Sequence, residues 1–179
     1  MLEASFQHWY NSLPGSLHFS RTAIYMRKES SQLGGLLFLH VTYHQTMCDL
    51  TRIGMRDLFK IRAAFEFPPE RTDFLKQVQD KCFEHCMALS SIYEEAMRYG
   101  PEALSDTWLS VVAHDSSRVI VHYISNDLGT SVEKGESLKK LAVLALHANI
   151  IALKKMITIH SLAKPLVSQT ISSRYWNPV

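Results

Sequence analysis

The run Gln32 to Gly54, QLGGLLFLHVTYHQTMCDLTRIG, decides how the chain is read. Leu33, Leu36, Leu37, His40, His44, Met47 and Cys48 recur at spacings of three and four, which puts them on one face of an α-helix. Leu39, Tyr43 and Leu50 cover a second face. A helix apolar around most of its girth belongs inside a helical domain rather than on its surface. The pattern therefore predicts an all-α fold: a single domain of about five helices packed around a central buried helix at about 30–53.

Working outward, Leu2 to Leu13 reads as a short helix with Leu2, Phe6, Trp9, Tyr10 and Leu13 on one side, stopped by Pro14-Gly15. Ser16 to Glu29 reads as loop. Ser30 or Ser31 would cap the central helix and Gly54 would end it. Gly34-Gly35 near its start weakens it by about 1 kcal/mol per glycine relative to alanine, which a close helix–helix approach would explain. Asp57 to Phe67 is short and mixed, closed by Pro68-Pro69. Thr72 or Asp73 would cap a helix to about Tyr99, with Leu75, Val78, Cys82, His85, Cys86, Leu89, Tyr93 and Met97 as its inner stripe and Gly100-Pro101 as a sharp stop.

Ser105 or Asp106 would cap a fourth helix to about Leu128, with Trp108, Val111, Val112, Asp115, Val119 and Tyr123 facing inward. The β-branched SRVIVHYI inside it could pass for a strand, but the helical period around it favours helix. After a polar linker from Gly129 to Ser137, a fifth helix would run to Ser161, apolar at Leu138, Leu141, Ala142, Ala145, Ala152, Met156 and Ile159. The domain would span 1–163, incomplete at its N-terminus because an apolar helix begins almost at Met1. Residues 164–179 would form a loosely ordered tail.

Composition fits this reading. The chain has 179 residues, 46% hydrophobic and 20% charged, enough for one sizeable core and too few for two. A net charge of +2 gives no strong field to steer nucleic acid or a membrane surface. Three cysteines, an odd number, fit a reducing compartment. The most apolar later run, Leu141 to Leu153, falls short of the roughly 20 residues a membrane span needs, and no secretory leader is visible. The expectation is a soluble intracellular protein.

Chemistry-bearing motifs are sparse. Cys82, His85 and Cys86 form CxxHC, and His44 with Cys48 forms HxxxC. A spacing of i, i+4 does put two ligands on one side of a helix, as zinc requires. Both sets lie on strongly apolar faces, however, where free cysteine behaves as a small buried hydrophobe. They read as core packing, and no metal ligand or cofactor is assigned. No GxSxG, HExxH, CxxC or glycine-rich phosphate loop occurs, and no catalytic residue is assigned. His114-Asp115-Ser116-Ser117 has the atom types of a triad, but adjacent helical residues point in different directions. Asp115, facing inward, requires a partner such as Arg118 or His114. A polar network there makes Trp108, His114 and Asp115 the candidate ligand-binding residues for a small-molecule effector. Lys139-Lys140 and Lys154-Lys155 read as solvated helix ends, too sparse for a nucleic-acid patch. Tyr175-Trp176 falls in the loose tail.

The stretch RKESSQLGGLLFLHVTYHQTMCDLTRIG resembles part of the fungal-specific transcription factor domain, the regulatory middle region of binuclear zinc-cluster activators. Leu39, His40, Tyr43, His44, Gln45, Cys48, Asp49, Leu50 and Arg52 stand in a run similar to the LHxxYHQxxCDLxR typical of that family. WYNSLP from Trp9 to Pro14, the helix from Cys82 to Ile92 and DTWLSVVAHDSSRV from Asp106 to Val119 resemble its neighbouring segments in order and spacing. The resemblance covers about Phe6 to His160. It implies an all-α, non-enzymatic regulatory domain in a nuclear regulator, contacting the transcription machinery or other regulators and in some members answering to a metabolite. It also implies a departure. The family reads DNA through a cysteine-rich zinc cluster, and the three cysteines here lack that spacing, so direct nucleic-acid binding is not expected and zinc would belong only to the missing module. The chain would then be the C-terminal part of such a regulator, a truncated gene product or a stand-alone regulatory domain. An adaptor or scaffold with no transcriptional role is the rival reading, followed by a helical enzyme or ligand carrier built on His114 and Asp115.

Overall fold

A computed structural model describes residues 2–30, 32–52, 55, 58, 68–126 and 132–171. Every regular element among them is helical: α1 (Leu2–Asn11), α2 (Arg21–Tyr25), α3 (Gln32–Thr51), α4 (Thr72–Ala96), α5 (Thr107–Asn126), α6 (Val132–Ile157) and α7 (Ala163–Ile171), with short 3-10 turns between some of them. The all-α expectation holds, and SRVIVHYI lies within α5.

The predicted face of α3 is the buried one. Leu33, Leu36, Leu37, His40, Met47 and Cys48 are all buried, and only His44 is partly open. The middle of the bundle, however, belongs to α4. It packs along α3 on one side and along α5 and α6 on the other, while α7 closes over α5 and α6. Val78, Cys82, Cys86, Leu89 and Tyr93 give α4 its inner stripe, as its spacing predicts, and Phe83 and Ile92 widen that stripe toward the other helices. Gly100, at φ 91, makes the predicted stop, in a backbone region that favours glycine. The carboxylate of Asp106 accepts from the Trp108 backbone N–H at 2.8 Å and so caps α5.

Several expectations need correction. Ser16 to Glu29 is not all loop: Gly15–Leu17 forms a 3-10 turn, and Ser20 caps α2 by accepting from the Ala23 N–H. Gly34 and Gly35 make no close approach, since nothing lies within 4 Å of where their side chains would begin. Helix α4 starts after Arg71 with no side-chain cap. The segment Asp57 to Phe67 lies outside the described residues apart from Leu58. Helix α6 already begins at Val132, inside the stretch read as a linker. Its buried stripe includes Ala142, Ala145, Ala152 and Met156, as expected, with Leu146, Asn149 and Leu153 added; Leu141 faces outward at 53% exposure, and Ile159 lies past the helix end at Ile157.

The predicted tail 164–179 is helical through Ile171. Ala163, Val167 and Thr170, at i, i+4 and i+7, are buried against α5 and α6. Pro165 sits in the first turn of α7, where its missing N–H has no helical partner to lose. Tyr175 and Trp176 fall outside the described residues.

Candidate functional site

The residues with the most chemistry converge where α1 and α4 meet α3. His40, 1% exposed, is held at both ring nitrogens. Its Nε2 lies 2.8 Å from the Leu17 carbonyl, which can only accept, so Nε2 carries the proton. Nδ1 is then the acceptor, and the Tyr10 hydroxyl donates to it at 2.7 Å. Burial pushes the His40 pKa down, partly offset by the Leu17 carbonyl. The Tyr10 ring stacks on Tyr43 at 3.6 Å and 9°. Tyr43 in turn donates to Gln7 Oε1 at 2.8 Å, and Lys81 on α4 pairs with Glu3 at 2.6 Å. Helix α1 has no buried residue of its own, so these side chains are what latch it to the bundle.

One turn further along α3, His44 meets His85 of α4, Nδ1 to Nδ1 at 2.9 Å. One of these nitrogens must carry a proton and the other must not, so the two rings hold opposite tautomers. Burial, with repulsion from His85 and His40, pushes His44 down to about 3. Burial also lowers His85, with the neighbouring Cys82 opposing.

Beneath the histidine pair lie three free thiols, Cys48 of α3 and Cys82 and Cys86 of α4. Their sulfurs are all within 4.8 Å of one another, and Cys48 and Cys86 are 3.5 Å apart. They are 5%, 0% and 1% exposed. Hydrogen bonds from Cys48 and Cys86 favour the ionised form of Cys82 and lower its pKa. The bond to Cys82 holds Cys48 up, and burial holds Cys86 up. The trio therefore accommodates one thiolate more readily than two. The sequence assigned these residues to packing, and they are as buried as packing requires. Spacing along single helices did not reveal that two helices bring three sulfurs to one point.

Of the residues proposed for an effector, Trp108 and Asp115 lie on one side of α5 and His114 on another. Trp108 is 42% exposed at the start of α5 rather than facing the core. Asp115 lies two turns on, roughly 10 Å along the axis on the same side, half-buried, with Arg118 at 3.7 Å as the sequence anticipates. His114 turns to a different side and meets Thr170 Oγ1 of α7 at 2.8 Å. Burial lowers its pKa, with Asp115 opposing. Three surface hollows border Thr22 and Arg27, Tyr25 and Ser30, and Gly34 and Tyr99, and none of them is lined by Trp108, His114 or Asp115.

A polar cluster that the sequence did not flag sits between α5 and α6. Asn149 is fully buried, and its Nδ2 donates to Ser116 Oγ at 3.0 Å and Ser117 Oγ at 3.2 Å. Both serines return their hydroxyls to the Ala113 carbonyl, and Asn149 Oδ1 has no partner among the described residues. The sequence signal was there: an asparagine in the middle of an apolar stripe must find a polar partner on the facing helix.

No family model matches this chain, and no curated protein or solved structure matches it either. No described helix is long and apolar enough to cross a membrane.

Proposed function

We propose that the chain is a non-enzymatic regulatory domain of the fungal zinc-cluster transcription factor type, acting in the nucleus through contact with other proteins of the transcription apparatus. The observation that carries this reading is the ordered run on α3. Its residues have separate structural tasks: His40 and Tyr43 hold α1, His44 and Cys48 meet α4, and Asp49 pairs with Arg52 at 3.0 Å. A run spelled by a structural node is what a domain family sharing one helical core would display. The outer side of α6 adds a surface for a partner, since Leu141 and Leu144 are 53% and 65% exposed at i, i+3.

The reading is tested by fusing residues 1–179 to a heterologous DNA-binding module and measuring a reporter in fungal cells. A change in reporter output that Leu141→Ser with Leu144→Ser abolishes, at unchanged protein level, supports it. A tagged chain excluded from the nucleus and silent in the reporter overturns it.

A further inference from the structure

We propose that Cys48, Cys82 and Cys86 form a three-sulfur site for a soft, thiophilic metal ion, and that monovalent copper is the ion whose coordination it matches. The proposal stands on the arrangement of the sulfurs and does not depend on the transcriptional reading. Three sulfurs bound at about 2.3 Å to one ion stand roughly 4 Å apart. Here they span from 3.5 Å to no more than 4.8 Å, so movements of a few tenths of an ångström per side chain close the set around an ion. The scaffold is rigid: Cys82 and Cys86 sit one turn apart on α4, and Cys48 enters from the facing turn of α3.

The choice of ion follows from the donors. Thiolate sulfur favours copper(I) and zinc over harder cations. Structural zinc takes four ligands. His44 and His85 are bonded to each other through Nδ1, and neither belongs to the sulfur cluster. Among the described residues no histidine, carboxylate or further cysteine joins the three sulfurs, which suits a three-coordinate ion. Each sulfur that binds gives up its proton. Helix α1 covers this end of the seam, its Tyr10 ring 5.9 Å from the ring of His44. A helix with no buried residue opens locally at low free-energy cost.

The experiment uses the full chain, reduced and handled without oxygen. Copper(I) is supplied in competition with a chromophoric copper(I) chelator, and zinc(II) in parallel with a zinc indicator. The expected result is one equivalent of copper(I) taken from the chelator, with a raised melting temperature, and loss of that binding in Cys48→Ala, Cys82→Ala and Cys86→Ala. X-ray absorption of the copper-loaded wild-type chain should show three sulfur neighbours and no nitrogen, a readout that holds even if an alanine variant fails to fold. Copper(I) left on the chelator, or retained equally by folded Cys82→Ala, overturns the site. Zinc(II) bound in preference to copper(I), with a nitrogen neighbour, overturns the three-coordinate assignment.

Discussion

Tyr10→Phe isolates a single hydrogen bond. The phenyl ring keeps the stack on Tyr43 at 3.6 Å, so packing is conserved while the hydroxyl is lost. What disappears is the 2.7 Å donation to His40 Nδ1, and Nδ1 is left as a buried acceptor on a residue that is 1% exposed. The other ring nitrogen is committed to the Leu17 carbonyl, so the imidazole cannot flip to recover the loss. An acceptor stranded in this way costs about 1–3 kcal/mol. Helix α1 has no buried residue, so the penalty falls on its docking rather than on the core formed by α3 to α7. Amide hydrogen exchange should therefore speed up by roughly 5- to 150-fold across Leu2–Asn11, while exchange in α4 stays near its wild-type rate. Tyr10→Leu, which also removes the stack, should loosen α1 further. Unchanged exchange in α1 of Tyr10→Phe would refute the argument that this bond latches the helix.

Stability should depend on pH through the buried histidines. His44 is held at about 3 against an ordinary 6.5, so the unfolded chain gains a proton below pH 6.5 that the folded chain refuses. Stability is full above that value and is lost as pH falls. From pH 6.5 to 5 the His44 share is about 1 kcal/mol after discounting for its partial exposure, seen as a lower urea midpoint that His44→Gln should flatten. Gly100→Ala should lower the melting temperature by about 2–4 °C, because alanine is strained at φ 91 while the clashing Glu102 carboxylate can swing away. Asn149→Asp should destabilise by about 3 kcal/mol, increasingly so as pH rises, since it replaces the donor to Ser116 and Ser117 by a buried carboxyl. A urea titration at pH 5 and pH 8 showing no difference from wild type would count against that account of Asn149.

The parts of the fold that were legible are those set by one helix at a time. The spacing along α3 named its buried face, and the stripe of α4 followed the same rule. Errors arose where single large residues were added to stripes that were otherwise read in phase. Val112, Val119 and Tyr123 of α5 and Ala142, Ala145, Ala152 and Met156 of α6 are buried as expected, whereas Trp108 and Leu141, large and apolar, face outward, and Leu109, Ala113, Leu146 and Asn149 were left out of the predicted faces. Small and polar residues carry little hydrophobic signal, yet they line this interface, where Ala142, Ala145 and Ala152 are buried and two serines meet an asparagine. A proline in the first turn likewise hid the apolar spacing of α7.

The thiol cluster shows where single-helix reasoning ends. Cys48 and Cys82 are separated by 34 positions, and no periodicity within either helix states how far one slides along the other. That register is set by the whole seam between α3 and α4, from the His44–His85 contact outward. A shift of one turn, about 5.4 Å, would keep every cysteine buried and satisfy the packing reading equally well, but it would part Cys48 from Cys86. Burial alone therefore cannot distinguish packing cysteines from a gathered set. The distances across the seam add what burial leaves out: Cys48 and Cys86 stand 3.5 Å apart, with all three sulfurs within 4.8 Å.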